Sequence, residues 1–226
     1  MTDISGAVVL VVGASGGLGS RISRELAEAG AVVVRGGRTA ERLSGDGAYL
    51  ADLRSPEGGA SLVAAALEAH GRLDGVVVAA GVVAFGPAGE IDDATLEELI
   101  DVNLQAPIRL IRAATPALVE SAKAGGSPFI VTLSGIVAEV PTAGMAAYSA
   151  AKAGLAAFMT AASREYRRQG IRMLDARPGH IGTELSQHPI AGIAPALGAG
   201  FDPDDVAKRI VRAIADDEKD LPSSAF

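Results

Sequence analysis

Cysteine is absent from this sequence, so no disulfide, thiolate metal site or cysteine nucleophile can contribute to its chemistry. That leaves the redox compartment open, and a cytoplasmic location is the expectation. Tryptophan is absent too, and aromatics make up only 4% of a chain that is 49% hydrophobic. The core must therefore be built from Val, Ala, Leu and Ile, a composition that suits strands covered by small-residue helices. There is no sustained basic run, and 20 basic against 27 acidic residues leave a net charge of −7. Nucleic acid is thus not expected as a partner, and any phosphate binding must be local. Long apolar runs are missing as well: "GVVVAAGVVAFG" (75–86) falls far short of the roughly 18–20 residues a spanning helix needs. Asp3 stands where a signal peptide would carry positive charge, so a soluble protein without a membrane partner is expected. His70, His180 and His188 are too scattered to suggest a metal site; His180, beside Pro178 and Gly179, is a candidate substrate contact.

What is present alternates. Short β-branched runs at 7–12, 31–34, 48–51, 75–80, 129–133 and 172–176 are continuously apolar in character, as strands buried on both faces are. Between them lie helical patterns near 17–29, 56–70, 95–122, 145–169 and 203–216. This alternation predicts one α/β domain over residues 1–226, a doubly wound, mainly parallel sheet of about six strands with helices on both faces. The one extended irregular stretch, "HPIAGIAPALGAGF" (188–201), follows the sixth strand, where ligand crevices lie in such sheets. Residues 184–201 are read as a flexible lid over a substrate pocket.

"VVLVVGASGGLGSRISRELAEAG" sets Gly13, Gly17 and Gly19 between the first strand and a helix whose apolar face uses Leu18, Ile22 and Leu26. Glycines there let the backbone bend sharply and let a pyrophosphate approach a helix N-terminus, whose free N–H groups and dipole favour negative charge. Far downstream, "YSAAK" puts Tyr148 and Lys152 four residues apart on a helix, so both can face one cleft.

These motifs recur in a recognisable order. The Gly-x-x-x-Gly-x-Gly turn is followed by Asp52 in "ADLR", by "VAAG" (78–81), by Asn103 in "DVNLQAP", by Tyr148-x-x-x-Lys152 and by "RPGHIGT" ending in Thr183. Along nearly its whole length the sequence resembles the short-chain dehydrogenase/reductase family. "VAAG" keeps Ala80 and Gly81 of the family's Asn-Asn-Ala-Gly motif but replaces both asparagines. The resemblance implies a Rossmann-type fold and a dinucleotide held by Gly13, Ser15, Gly16, Gly17, Leu18, Gly19, Asp52, Leu53, Ala80, Gly81, Tyr148, Lys152, Pro178, Gly179, Ile181 and Thr183. It implies Tyr148 as general acid/base, Lys152 as the residue that lowers its pKa and binds the nicotinamide ribose, and Asn103 as holder of a relay water. A phenol near pKa 10 needs about 4 kcal/mol to reach neutrality, which a cation about 4 Å away supplies at an effective dielectric of 20.

Three details are particular to this chain. The second strand ends "VVVRGGRTAER", with no acid to accept ribose hydroxyls, and Arg38 stands where the family pairs an arginine with the 2'-phosphate of NADP; NADP is expected over NAD. The family's serine lies thirteen residues before the tyrosine, which lands on Gly135, while Ser134 is one position away. Ser134 serves as the substitute if the loop is shifted by one residue, and Thr132 and Thr142 are the other nearby hydroxyls. The chain ends soon after the last helix, so the sheet should have six strands and at most a vestige of a seventh; a homodimer through the helices near 107–122 and 145–169 is expected, the latter carrying Ala147, Ala151, Gly154 and Ala157. The resulting expectation is an NADP-dependent oxidoreductase acting on a small uncharged carbonyl or secondary alcohol. The alternative is a dinucleotide-binding sensor or scaffold with little turnover, and NADPH oxidation across aldehydes and ketones separates the two.

Overall fold

In the computed structural model, which describes residues 2–43 and 47–226, the valine-rich runs form β1 (Val8–Val12), β2 (Val32–Gly37), β3 (Ala48–Leu50), β4 (Gly75–Val78), β5 (Phe129–Leu133) and β6 (Arg172–Ala176). They line up as β3-β2-β1-β4-β5-β6, with every neighbouring pair parallel. Parallel neighbours need crossover connections. These use α1 (Gly17–Glu28), α2 (Gly58–His70), α3 (Asp93–Ile100), α4 (Ala106–Lys123) and α5 (Ala146–Tyr166), and α6 (Pro203–Ala215) follows β6. Among the described residues no helix is long and apolar enough to cross a membrane.

Strand alternation divides the core in two. Val8, Leu10, Val12, Ile130 and Met173 pack under α2, α4 and α5, while Val9, Val11, Val131 and Leu174 pack under α1 and α6. Ile22 and Leu26 of α1 are completely buried; each such side chain contributes about 1.5–3 kcal/mol over its exposed state. The two halves of the sheet grow outwards from β1 and β4, so the strand order reverses between them. That is where a crevice opens beyond the strand carboxyl ends.

Three features differ from the expected elements. β2 runs on through Gly36 and Gly37. A Cβ at Gly37 would stand 2.1 Å from the Leu43 side chain, so the glycine admits a close neighbour and does not end the strand. β4 stops at Val78, leaving 79–81 to cross the crevice mouth. The helix expected over 95–122 is interrupted by a π turn at Asp101–Gln105, where Ala106 N–H donates back five residues to Asp101 O. The C-terminal segment supplies only an isolated bridge, Ala176 to Leu221, at the β6 edge, the vestige expected of a seventh strand.

Candidate active site

The glycine turn meets the segment after β4 at the point of strand reversal. Gly13 has φ +86, and a Cβ there would lie 2.4 Å from Ala80 N; one at Gly19 would lie 2.2 Å from Gly13 O. Gly16 precedes α1 without a side-chain cap, so no capping side chain covers the first N–H groups of α1. Gly17 packs against Thr183, where a Cβ would come within 2.9 Å of the threonine Cβ. Leu18 leans on the α1/α6 core. Ser15 Oγ would lie 3.0 Å from a Cβ on Gly37, so the turn touches the end of β2, and exposed Arg38 follows directly. A glycine turn packed this closely at a helix N-terminus fits a dinucleotide pyrophosphate, because it brings main-chain amides and the positive end of the helix dipole to the approach.

Asp52 and Leu53 flank this crevice at the end of β3. Leu53 is buried in the core. The Asp52 carboxylate is gripped by Arg54 Nε and Nη2 at 3.0 and 2.6 Å, and that guanidinium holds it below the usual carboxylate range. On the other side, Pro178 O accepts from Ile136 N–H at 2.8 Å, Gly179 packs on the Phe201 ring, and Ile181 bridges to Phe201. His180 sits in this return, its carbonyl accepting from Phe201 N–H at 2.8 Å.

Tyr148 and Lys152 do share a face: Lys152 Nζ lies 5.8 Å from the tyrosine ring centroid. Lys152 is only 5% exposed, and its ammonium donates to Leu133 O at 2.8 Å. A Cβ at Gly81 would meet Asn103 Oδ1 at 2.9 Å and Lys152 Nζ at 3.5 Å. Glycine at 81 is what lets the three approach. Burial pushes the Tyr148 phenol up to about 12 and draws Lys152 down to about 8, with Asp175 opposing. Burial of the phenol thus opposes the field of the neighbouring ammonium.

Asn103 is fully buried in the π turn. Its Nδ2 donates to Val82 O at 2.9 Å and Leu99 O at 3.0 Å, and its Oδ1 accepts from Val82 N–H at 3.2 Å. Both amide hydrogens are used in bracing the helix break against the strand extension; one lone pair on Oδ1 remains beside Gly81.

Ser134 has no accessible surface, and its hydroxyl donates to Asp175. Thr132 Oγ1 donates to the same carboxylate at 2.6 Å. Both hydroxyls are thus engaged by Asp175, against the expectation that Ser134 offers its hydroxyl to a substrate carbonyl. The exposed Thr142 hydroxyl donates to Val140 O at 3.2 Å. Gly135, with φ +73, faces open space: a Cβ there would find only Pro178 O, at 3.7 Å. Asp175 is not among the residues singled out from the sequence, although an acid following the apolar Met173-Leu174 of a predicted buried strand was the available signal.

Tyr148 lines a cavity of about 310 Å³ with Phe85, Ile91, Leu99 and Met145. Among the described residues no lysine or arginine lines it, while Glu90 and Asp92 do. The 184–201 segment is tied across this region at two places. Ile190 N–H donates to Val83 O at 2.8 Å and Phe85 N–H to Ala191 O at 3.0 Å, and Phe201 closes the other end on His180. The small residues of α5 pack partly within the chain, since a Cβ at Gly154 would meet Leu104 at 3.2 Å.

Residues 7–191 match the family model described as short chain dehydrogenase. The chain is 31% identical to an uncharacterised oxidoreductase of Methylorubrum extorquens, over 97% of this chain and 94% of that protein. It is 29% identical to the 2,5-dichloro-2,5-cyclohexadiene-1,4-diol dehydrogenase LinX of Sphingobium indicum, over 97% and 95% of the two chains. In fold it is similar to 3-ketoacyl-(acyl-carrier-protein) reductase from Brucella melitensis, a structure solved with NADH, with a TM-score of 0.88 at 22% identity over 97% of each chain. The family match runs unbroken from the glycine turn through the Tyr148 helix and into the segment that follows β6. The chain belongs to the short-chain dehydrogenases/reductases, a family of NAD(P)-dependent oxidoreductases.

Proposed function

We propose that this protein is an NADP-dependent reductase/dehydrogenase for small uncharged carbonyls or secondary alcohols, with Tyr148 as general acid/base. The observation that carries this is Tyr148, at the wall of a mainly apolar cavity with its ring centroid 5.8 Å from Lys152 Nζ. The nicotinamide, when bound, supplies or accepts the hydride. Tyr148 hands the proton to the carbonyl oxygen, and the Lys152 charge favours the phenolate that remains. Asn103 Oδ1 and Lys152 Nζ flank Gly81, an arrangement suited to a water-mediated path for replacing that proton.

Gly13, Ser15, Gly16, Gly17, Leu18 and Gly19 would hold the pyrophosphate, Asp52 and Leu53 the adenine, and Ala80, Gly81, Pro178, Gly179, Ile181 and Thr183 the nicotinamide half. Arg38, exposed at the end of a β2 that carries no acid, supports NADP, since a guanidinium grips a 2'-phosphate with paired charge-assisted bonds. A mainly apolar cavity with Glu90 and Asp92 at its wall supports an uncharged substrate over an anionic one. Residues 184–201 act as its lid. A cytoplasmic homodimer through the helices near 107–122 and 145–169 completes this reading.

One observation favours a second reading, a dinucleotide-binding protein with little turnover: the place of the expected serine offers no free hydroxyl, because Gly135 has none and that of Ser134 is held by Asp175. Oxidation of NADPH and NADH across a panel of aldehydes and ketones decides between them. The enzyme reading expects NADPH to be preferred, Tyr148→Phe to lose roughly 10²–10⁴-fold in rate, and Arg38→Ala to erase the cofactor preference. Tight NADPH binding with no turnover on any substrate supports the binding protein, and equal affinity for the two cofactors removes the NADP assignment.

A further inference from the structure

Asp175 is the buried charge that the proposed reaction leaves unused. It is 6% exposed and lies opposite Thr132 in the β5–β6 register. Its carboxylate accepts from Thr132 Oγ1 at 2.6 Å, from Ser134 Oγ and from Arg177 Nη1 at 3.2 Å. Beside it a crevice of about 540 Å³ separates the β6 edge from α5, with Ala153, Ala156 and Met159 on the helix side. Ala156 follows Lys152 by four residues, so it occupies the same helix face one turn on. Asp175 and this face of α5 thus border the same crevice. A single residue step links them through β5: Lys152 Nζ donates to Leu133 O, and the next residue, Ser134, donates to Asp175.

We propose that Asp175 is a positioning residue: its carboxylate, anchored by Thr132, Ser134 and Arg177, is the counter-charge that keeps the Lys152 ammonium protonated and held at the Leu133 carbonyl beside Tyr148. The inference rests on Lys152 being the lysine of the catalytic pair. Burial draws Lys152 down and Asp175 pushes it back up. Burial also raises Asp175, while Ser134, Thr132 and Arg177 favour its anion. The other groups facing Lys152 are Tyr148 on its own helix and Asn103 of the π turn. Behind Asp175 stands Arg177, itself paired with Glu139 at 2.5 Å and Asp220 at 2.6 Å, and Lys219 lines the outer wall of the crevice. This arrangement gives Ser134 a task other than substrate: it orients the counter-charge.

The chain has four lysines, Lys123, Lys152, Lys208 and Lys219, so NMR at the ε-carbon of lysine-labelled protein, assigned with Lys152→Arg, reads the Lys152 titration directly. In Asp175→Asn its midpoint should fall by about one pH unit. The alkaline limb of kcat/KM should move down with it. An unchanged midpoint accompanied by lost stability would make Asp175 a structural residue only and overturn the proposal. Should Asp175→Asn fail to fold, the triple variant Thr132→Val, Ser134→Ala, Asp175→Ala removes the hydroxyl donors together with the acceptor, and the same fall or the same constancy decides. The titration needs no turnover, so a chain that reduces no carbonyl would defeat the proposed function without altering this result.

Discussion

Lys152 carries a charge where burial works against charge, and that conflict is measurable. Its pKa falls from 10.5 to about 8, which corresponds to roughly 3 kcal/mol of folding stability given up at neutral pH. Below pH 8 the folded and unfolded chains both hold the proton and the full cost is present. Between about 8 and 10.5 the folded chain has released it and the unfolded chain has not, so stability rises with pH through that window. Lys152→Met should therefore be inactive yet more stable at pH 7 by roughly 2 kcal/mol, after about 1 kcal/mol for leaving Leu133 O without its donor. Urea denaturation at pH 7 and pH 10 checks this: the gain should shrink at the higher pH. No gain at pH 7 would mean that Asp175 and Leu133 O repay the burial in full.

At the scale of elements, the π turn between α3 and α4 is the feature on which the site depends most. One extra residue per turn lets Asn103 face Val82 and Leu99 together, and this brace holds Gly81 against Lys152. Asn103→Ala leaves the Val82 N–H, Val82 C=O and Leu99 C=O without these partners, and a cost of roughly 2–4 kcal/mol is expected by chemical denaturation. Faster amide exchange at 99–106 should accompany it. A loss under about 0.5 kcal/mol would show that the turn persists without the side chain. The helix itself was legible from the apolar spacing over 95–122. The break was not, since a single inserted residue leaves that spacing nearly unchanged while altering which backbone groups pair.

For the whole molecule, the end of the sheet opposite the site is tied by Asp74. Its carboxylate accepts from Val8 N–H at 2.9 Å, Arg72 Nη2 at 2.7 Å and Ser121 Oγ at 2.5 Å, joining β1, α4 and the approach to β4. Burial pushes its pKa up, but these partners together hold it below the ordinary carboxylate value. Such a group contributes stability that is present above its unfolded pKa and lost as pH falls through its folded one. Asp74→Asn should lower stability at pH 7 by roughly 1.5–3 kcal/mol, and the deficit should narrow below pH 4, where wild type loses the same contribution. Urea midpoints of both proteins from pH 3 to 7 test it. A deficit that stays constant across that range would assign Asp74 a packing role alone.

By itself the sequence determined the alternation of strands and helices, the glycine turn and the Tyr148–Lys152 spacing, because each is a short-range property: periodicity, local backbone freedom or two residues on one helix face. That the sheet is parallel was inferable from that alternation, since parallel neighbours require crossovers, whereas the order β3-β2-β1-β4-β5-β6 was set by the fold. Only the tertiary structure decided what Ser134 does. Its partner, Asp175, is 41 positions away, brought alongside by the β5–β6 register. The same holds for the tyrosine's acidity, where the helix sets the lysine's distance but the burial opposing it comes from segments far apart in the chain. Counting residues placed glycine at the expected serine position; folding placed the neighbouring serine under a carboxylate, because an acid buried in a strand must find donors wherever the adjacent strand offers them.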